Sequence, residues 1–138
     1  MTTATDNGEL VHRLHRALLE SRDLATVDSF FADDFVSHNN PPGFPAGAEG
    51  VKRFFAMFRD AFPDADVSVD EVVAAGDWVA VATTLTGTHR GDLMGIAPTG
   101  ARVSVTGIDM VRVEGERIVE HRGLTDTVGL MRQLSAAA

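Results

Sequence analysis

The chain has 138 residues, 44 % apolar and 23 % charged, the balance of a folded domain with a core of its own. Twenty acidic residues against 12 basic ones leave a net charge of −8, which argues against nucleic acid or an anionic membrane as partner, because both need a basic footprint. With no cysteine there is no disulfide, thiol nucleophile or zinc–thiolate site. The opening "MTTATDNGEL" has no secretory pattern, and no stretch approaches the ~18 apolar residues of a membrane span, so a cytoplasmic location is expected. A single domain over 1–138 is expected, with 1–6 disordered and 135–138 a flexible tail.

Asp6 and Glu9 have the spacing of a helix start, followed by Leu10, Val11, Leu14, Ala17 and Leu18 at helical intervals. Asp23 can cap a second helix carrying Leu24, Val27, Phe30 and Phe31. The prolines and glycines of "DFVSHNNPPGFPAG" then predict an ordered loop. Val51, Phe54, Phe55, Phe58 and Phe62 form the apolar stripe of a third helix, which Pro63 stops. Beyond Pro63 the period becomes that of strands. Val67, Val69 and Val73 lead to a turn at Gly76-Asp77, and Trp78 to Thr88 is β-rich. After the loop "HRGDLMGIAPTG" come strands Val103–Val113 and Arg117–Thr125, then a short helix from Thr127 to about Leu134. Helices followed by a four-stranded meander give an α+β fold, with the helices covering one face of a curved sheet and a pocket between.

Two residues on the last strands carry chemistry. Asp109 shares a strand face with Val103, Val105, Gly107, Val111 and Val113, so it points inward, where a carboxylate needs a partner. A three-residue loop at Glu114–Glu116 would set Val111 against Val119 and Asp109 against His121. A two-residue loop at Gly115-Glu116 would instead set Asp109 against Arg122. Face consistency favours the first. An Asp109–His121 pair can act as general base and acid, or it can be an inert core pair.

Further pocket residues are expected by position. His38 and Asn39 sit in the proline-pinned loop, His89 at a strand end and Asp126 before the last helix, where an N-cap role competes. Phe54, Phe58 and Trp78 are core residues that can also form an apolar wall. The histidine spacing does not suit a metal, and no G-x-S-x-G elbow or glycine-rich phosphate loop is present. No metal or cofactor is therefore expected.

The segments "DFVSHNNPPGFPAGAEGVKRFFAMFRDAFPD", "GTHRGDLMGIAPTG" and "GIDMVRVEGERIVEHRGLTDTVGLMRQL" resemble the SnoaL-like polyketide cyclases of the NTF2-like superfamily. The likeness runs from Leu10 to Leu134, and its most specific parts are the loop His89–Gly100 and "RIVEH". It implies a cone-shaped, curved antiparallel or mixed sheet wrapped around N-terminal helices, a deep apolar pocket and a homodimer through the outer sheet face. It also implies cofactor-free intramolecular aldol closure of a polyketide ester, with an acidic residue as general acid/base. One departure stands out. Where such proteins often read "EHWD", this chain reads "EHRG" from Glu120 to Gly123, so the expected catalytic aspartate falls at or near Gly123 and its partner near Asp109. His121 can take over, because dehydratases of the superfamily resemble this arrangement with a His–Asp dyad.

Three readings result. The leading one is a cofactor-independent cyclase, isomerase or lyase acting on a small hydrophobic carbonyl compound. Asp109 and His121 are then catalytic, and His38, Asn39, Phe54, Phe58, Trp78, His89, Arg122 and Asp126 bind substrate. The second is a non-catalytic ligand-binding protein of the same fold. The third is an epoxide hydrolase, in which Asp109, Arg122 and Asp126 would meet in one pocket.

Overall fold

The computed structural model describes residues 4–20, 28–38, 40 and 43–136. Its elements are α1 (Ala4–Glu20), β1 (Phe31–Ser37), α2 (Ala48–Ala61), β2 (Asp66–Ala75), β3 (Trp78–Thr88), β4 (Arg102–Glu114), β5 (Arg117–Thr125) and α3 (Thr127–Ala136). The five strands form one mixed sheet in the order β1-β5-β4-β3-β2, with β1 parallel to β5 and the other neighbours antiparallel. The α+β class anticipated from sequence is the one observed; the sheet is mixed, and it has five strands where a four-stranded meander was expected. No helix among the described residues is long and apolar enough to cross a membrane.

Period-two patterning makes the sheet two-faced. On β4, Val103, Val105, Gly107, Val111 and Val113 are buried, whereas Ser104, Thr106, Ile108 and Met110 are exposed. The inner face carries two apolar clusters. Leu10, Val11 and Leu14 of α1 pack with Phe31, Phe35, Val79, Val111 and Ile118. Phe58 and Phe62, at the end of α2, pack with Leu93, Val103, Leu130 and Leu134. The loop after β3 closes this second end, because the amides of Arg90 and Gly91 both donate to the Ala61 carbonyl, at 2.9 and 3.1 Å.

Three local expectations are corrected. Asp6 is not an N-cap, since α1 already begins at Ala4. Of the second helix, Asp23, Leu24 and Val27 lie outside the described residues, and Phe31 is the first residue of β1. The stretch read as a loop after it is in part strand. β1 buries Phe31 and Phe35 and pairs Val36 with Glu120 and Ser37 with His121. Its partner lies some eighty residues downstream, so nothing local announces it. Lys52 of α2, only 6 % exposed, holds the chain ahead of β1 through an ion pair to Asp28 at 2.7 Å.

The β4–β5 hairpin also departs from the favoured register. Its loop is the two-residue one: Glu114 pairs with Arg117, and Gly115 and Glu116 both have positive φ, 55° and 66°. Such a turn follows the twist of the strands. Neither simple register then holds. Val113 faces Ile118 but Arg112 faces Glu120, so Val119 is an extra, bulged residue. Beyond it Val111 pairs with His121 and Asp109 with Gly123.

Two stability measurements test this core. Phe62 is fully buried between α2 and the His89 loop, so Phe62→Ala should cost about 3–5 kcal/mol in denaturant unfolding. Asp64 accepts hydrogen bonds from the Thr88 amide and hydroxyl at 2.7 and 2.8 Å, and these hold its carboxyl below the usual carboxylate range. A lowered folded value means that its contribution is present above the unfolded value, about pH 4, and is lost as pH falls through the folded one. Asp64→Asn should therefore lower the melting temperature at pH 7 and flatten its fall on the acid side.

Candidate active site

Between the two clusters the helices stand off the sheet and leave a cavity of about 370 Å³, within the size range of small-molecule sites. Val51, Phe54, Phe55 and Phe58 of α2 form one wall, and Phe31 and Phe35 of β1 extend it. The opposite wall is sheet, and its inward residues run in rows across β3, β4 and β5. One row is Thr83, Gly107 and Thr125, the next is Val81, Asp109 and Gly123, and the third is Val79, Val111 and His121. Thr83, Thr125, Asp109 and His121 thus make a polar stripe on an otherwise apolar surface.

Asp109 and His121 meet, but diagonally. His121 Nε2 lies 2.8 Å from Asp109 Oδ1, and the two side chains are 23 % and 24 % exposed. Diagonal neighbours on a sheet are normally ~7–8 Å apart, within reach only of long side chains. Here the ring leans over Gly123, the residue directly opposite Asp109. A Cβ built on Gly123 would stand 2.1 Å from Asp109 Oδ1 and 2.7 Å from His121 Nε2. A side chain at 123 would therefore require Asp109 or His121 to move from the positions in which they bond. The position expected from resemblance to carry an acid is the space that the dyad occupies.

The second ring nitrogen is also held. His121 Nδ1 lies 3.1 Å from Ser37 Oγ, and Ser37 Oγ donates to Asn40 Oδ1 at 2.8 Å. Asn40 lines the cavity, and its Nδ2 donates to the Pro45 carbonyl at 2.8 Å. Ser37 is in place because β1 runs beside β5 in register with His121, and the His38 amide donates to the His121 carbonyl at 3.0 Å. The sequence reading missed Ser37, Asn40, Thr83 and Thr125. Thr83 was legible, since it shares a face with Val79 and Val81. Ser37 was not, because β1 itself went unread.

Phe54 and Phe58 stand in the cavity wall as expected of them, and Asn39 lies outside the described residues. Five expected substrate-binding residues are elsewhere. His38 follows Ser37 with the opposite orientation, and its Nε2 is 2.8 Å from Glu120 Oε2 on the outer face. Arg112 joins the same carboxylate at 3.1 Å, and Arg122, 55 % exposed, stands 3.7 Å from it. The hydrogen bond from His38, then that from Arg112, holds the Glu120 carboxyl below its ordinary range. Trp78 alternates with inward Val79 and lies off the cavity. His89 is fully buried outside it. Its Nδ1 accepts from the Thr99 amide at 3.2 Å, and its ring packs on Phe62 at 5.5 Å, so it braces the loop. Asp126 caps α3, accepting from the Gly129 amide at 2.9 Å. With Arg122 outside and Asp126 spent on a cap, the epoxide hydrolase arrangement is not present.

Among the described residues no group of three or more His, Asp or Glu side chains is placed to hold a metal ion. The assembled groups suit proton transfer instead: a carboxylate and an imidazole in contact, partly shielded from water, with hydroxyl and amide groups nearby to hold oxygens. Gly123→Ala should leave the sheet folded but part the dyad. A crystal structure of the variant should show His121 Nε2 beyond hydrogen-bond distance of Asp109.

Known proteins resemble the chain in sequence and in fold. Residues 9–134 match the family model of the SnoaL-like polyketide cyclases. The chain is 30 % identical over 113 residues to a nogalonic acid methyl ester cyclase from Streptomyces nogalater, covering 78 % of this chain and 82 % of the relative. IdmH from Streptomyces antibioticus, a proposed polyketide cyclase, has a crystal structure that superposes with a TM-score of 0.81 at 34 % identity, over 94 % of this chain and 98 % of that one. AclR from Streptomyces galilaeus, a proposed hydroxylase, superposes with a TM-score of 0.84 at 25 % identity, over 97 % and 83 %. The chain belongs to the SnoaL-like polyketide cyclase family.

Proposed function

We propose that this protein is a cofactor-independent cyclase that closes a ring in a polyketide ester by intramolecular aldol addition. The observation that carries the reading is the Asp109–His121 contact inside an apolar cavity. The Asp109 carboxylate takes a proton from the substrate carbon beside a carbonyl. The enolate carbon attacks a second carbonyl of the same molecule and forms the new C–C bond. The resulting alkoxide takes the proton back from the pair, so that the product is an isomer of the substrate. Thr83 and Thr125 line the cavity and can donate to the enolate oxygen as its charge develops. Neither lysine nor arginine is among the described residues that line it. That favours a neutral, esterified substrate over a free acid and accords with the methyl ester in the relative's name.

The outer sheet face supports the further proposal of a homodimer. Ile108 and Met110 are 52 % and 42 % exposed there, although the strand is otherwise well formed. A cytoplasmic location accords with the chain's composition and stays part of the proposal.

The test is turnover of nogalonic acid methyl ester, followed as conversion to a product of equal mass. Asp109→Asn and His121→Ala should each lower kcat about 10²–10⁴-fold, with KM changed much less. Wild-type rates in both variants would remove the assignment. Tight binding of the ester without turnover by the wild-type protein would favour a ligand-binding role.

A further inference from the structure

The hydrogen-bond chain from Pro45 to Asp109 constrains where protons sit. Asn40 Nδ2 is committed to the Pro45 carbonyl, so the amide turns its oxygen, which only accepts, toward Ser37. Ser37 has one hydroxyl proton. When it goes to Asn40, Ser37 offers His121 a lone pair, and Nδ1 must carry a hydrogen to make the 3.1 Å contact. At the other nitrogen the 2.8 Å contact to Asp109 needs one more proton between the atoms. All four contacts are thus satisfied when the His121–Asp109 pair holds two protons and is neutral overall, as an imidazolium beside a carboxylate. If the pair loses one, Nε2–H stays with the carboxylate and Nδ1 becomes an acceptor. The Ser37 hydroxyl must then turn to Nδ1, and Asn40 Oδ1 loses its donor. The proton-loaded pair has one hydrogen bond more.

We propose that Ser37 and Asn40 are positioning residues that hold His121 protonated at Nδ1, so that the Asp109–His121 pair enters turnover carrying one transferable proton. This rests on the acid–base reading of the site and adds the state in which the site waits. Asp109 is the other titratable residue among the described ones lining the cavity, α1 and α2 present Val11, Leu14, Val51 and Phe55 there, and His38, Arg112, Glu120 and Arg122 stand on the opposite sheet face. In a pair loaded in advance the carboxylate is still ionised and takes the carbon-bound proton first; the imidazolium then neutralises the alkoxide that C–C bond formation creates, and the pair again holds two protons.

The relay is tested without substrate, by nitrogen-15 NMR of the histidine ring in the full chain across a pH series. In the wild-type protein the ring signals should show hydrogen on His121 Nδ1. Asn40→Ala removes the acceptor that favours the loaded form, so the midpoint at which His121 loses its proton should fall by about one pH unit, a tenfold loss of proton affinity. Asn40→Asp puts a carboxylate beside Ser37 and should raise the midpoint. Ser37→Thr keeps the hydroxyl and should keep the wild-type signature, whereas Ser37→Ala should lose it. Dispersed amide spectra establish that each variant is folded. An Nδ1 without hydrogen in the wild-type protein, or one midpoint shared by the wild type and both Asn40 variants, overturns the relay. The readout is independent of turnover, so an inactive protein with the expected titration would overturn the cyclase reading and leave the relay standing.

Discussion

A carboxylate inside an apolar cavity has to be paired, because the loss of its hydration is otherwise uncompensated. Asp109 meets that demand through a ring two residues along the neighbouring strand, and three features make the contact possible. The bulge at Val119 shifts β5 by one residue, so that His121 and Gly123 point inward with Asp109 and Val111. Gly123 leaves empty the volume that any side chain opposite Asp109 would fill. β1, paired in parallel with β5, brings Ser37 against the far side of the ring. Remove one of these and the imidazole loses either its partner or its orientation.

The rest of the molecule keeps that contact in a defined medium. The two apolar clusters lie at opposite ends of the sheet and join the helices to it there, while the middle stays open as the cavity. Charge is sorted by sheet face. Glu120 collects His38, Arg112 and Arg122 on the outer face, whereas the alternate residues His121 and Gly123 face inward. A one-residue change of register would exchange these sets and bring an arginine to the cavity. The bulge therefore selects which chemistry the pocket contains.

The fold relates this chain to polyketide cyclases, and the resemblance leads one to expect an acid at or near position 123. An acid at 123 and a hydrogen-bonded His121–Asp109 pair compete for the same few ångströms, so one side chain or the other would have to give way. Glycine there reads from sequence alone as a loss. In the folded protein it leaves the room in which Asp109 and His121 meet.

Much was determined by local pattern. The apolar stripe of α2, the alternation of β2 to β5, the inward face of Asp109 and the α+β class follow from side-chain periodicity, which depends on neighbours a few residues away. The family likeness was carried by contiguous motifs, the His89–Gly100 loop above all. What only the tertiary structure decided depends on strand pairing at long range. β1 has to find β5 across some eighty residues, and the hairpin register turned on a bulge that no single residue type announces. From those two pairings came Ser37 at the ring, with Asn40 behind it, and the placing of His38 and Arg122 on the outer face. The same tertiary contacts turned Gly123 from an absence into the space where Asp109 and His121 meet.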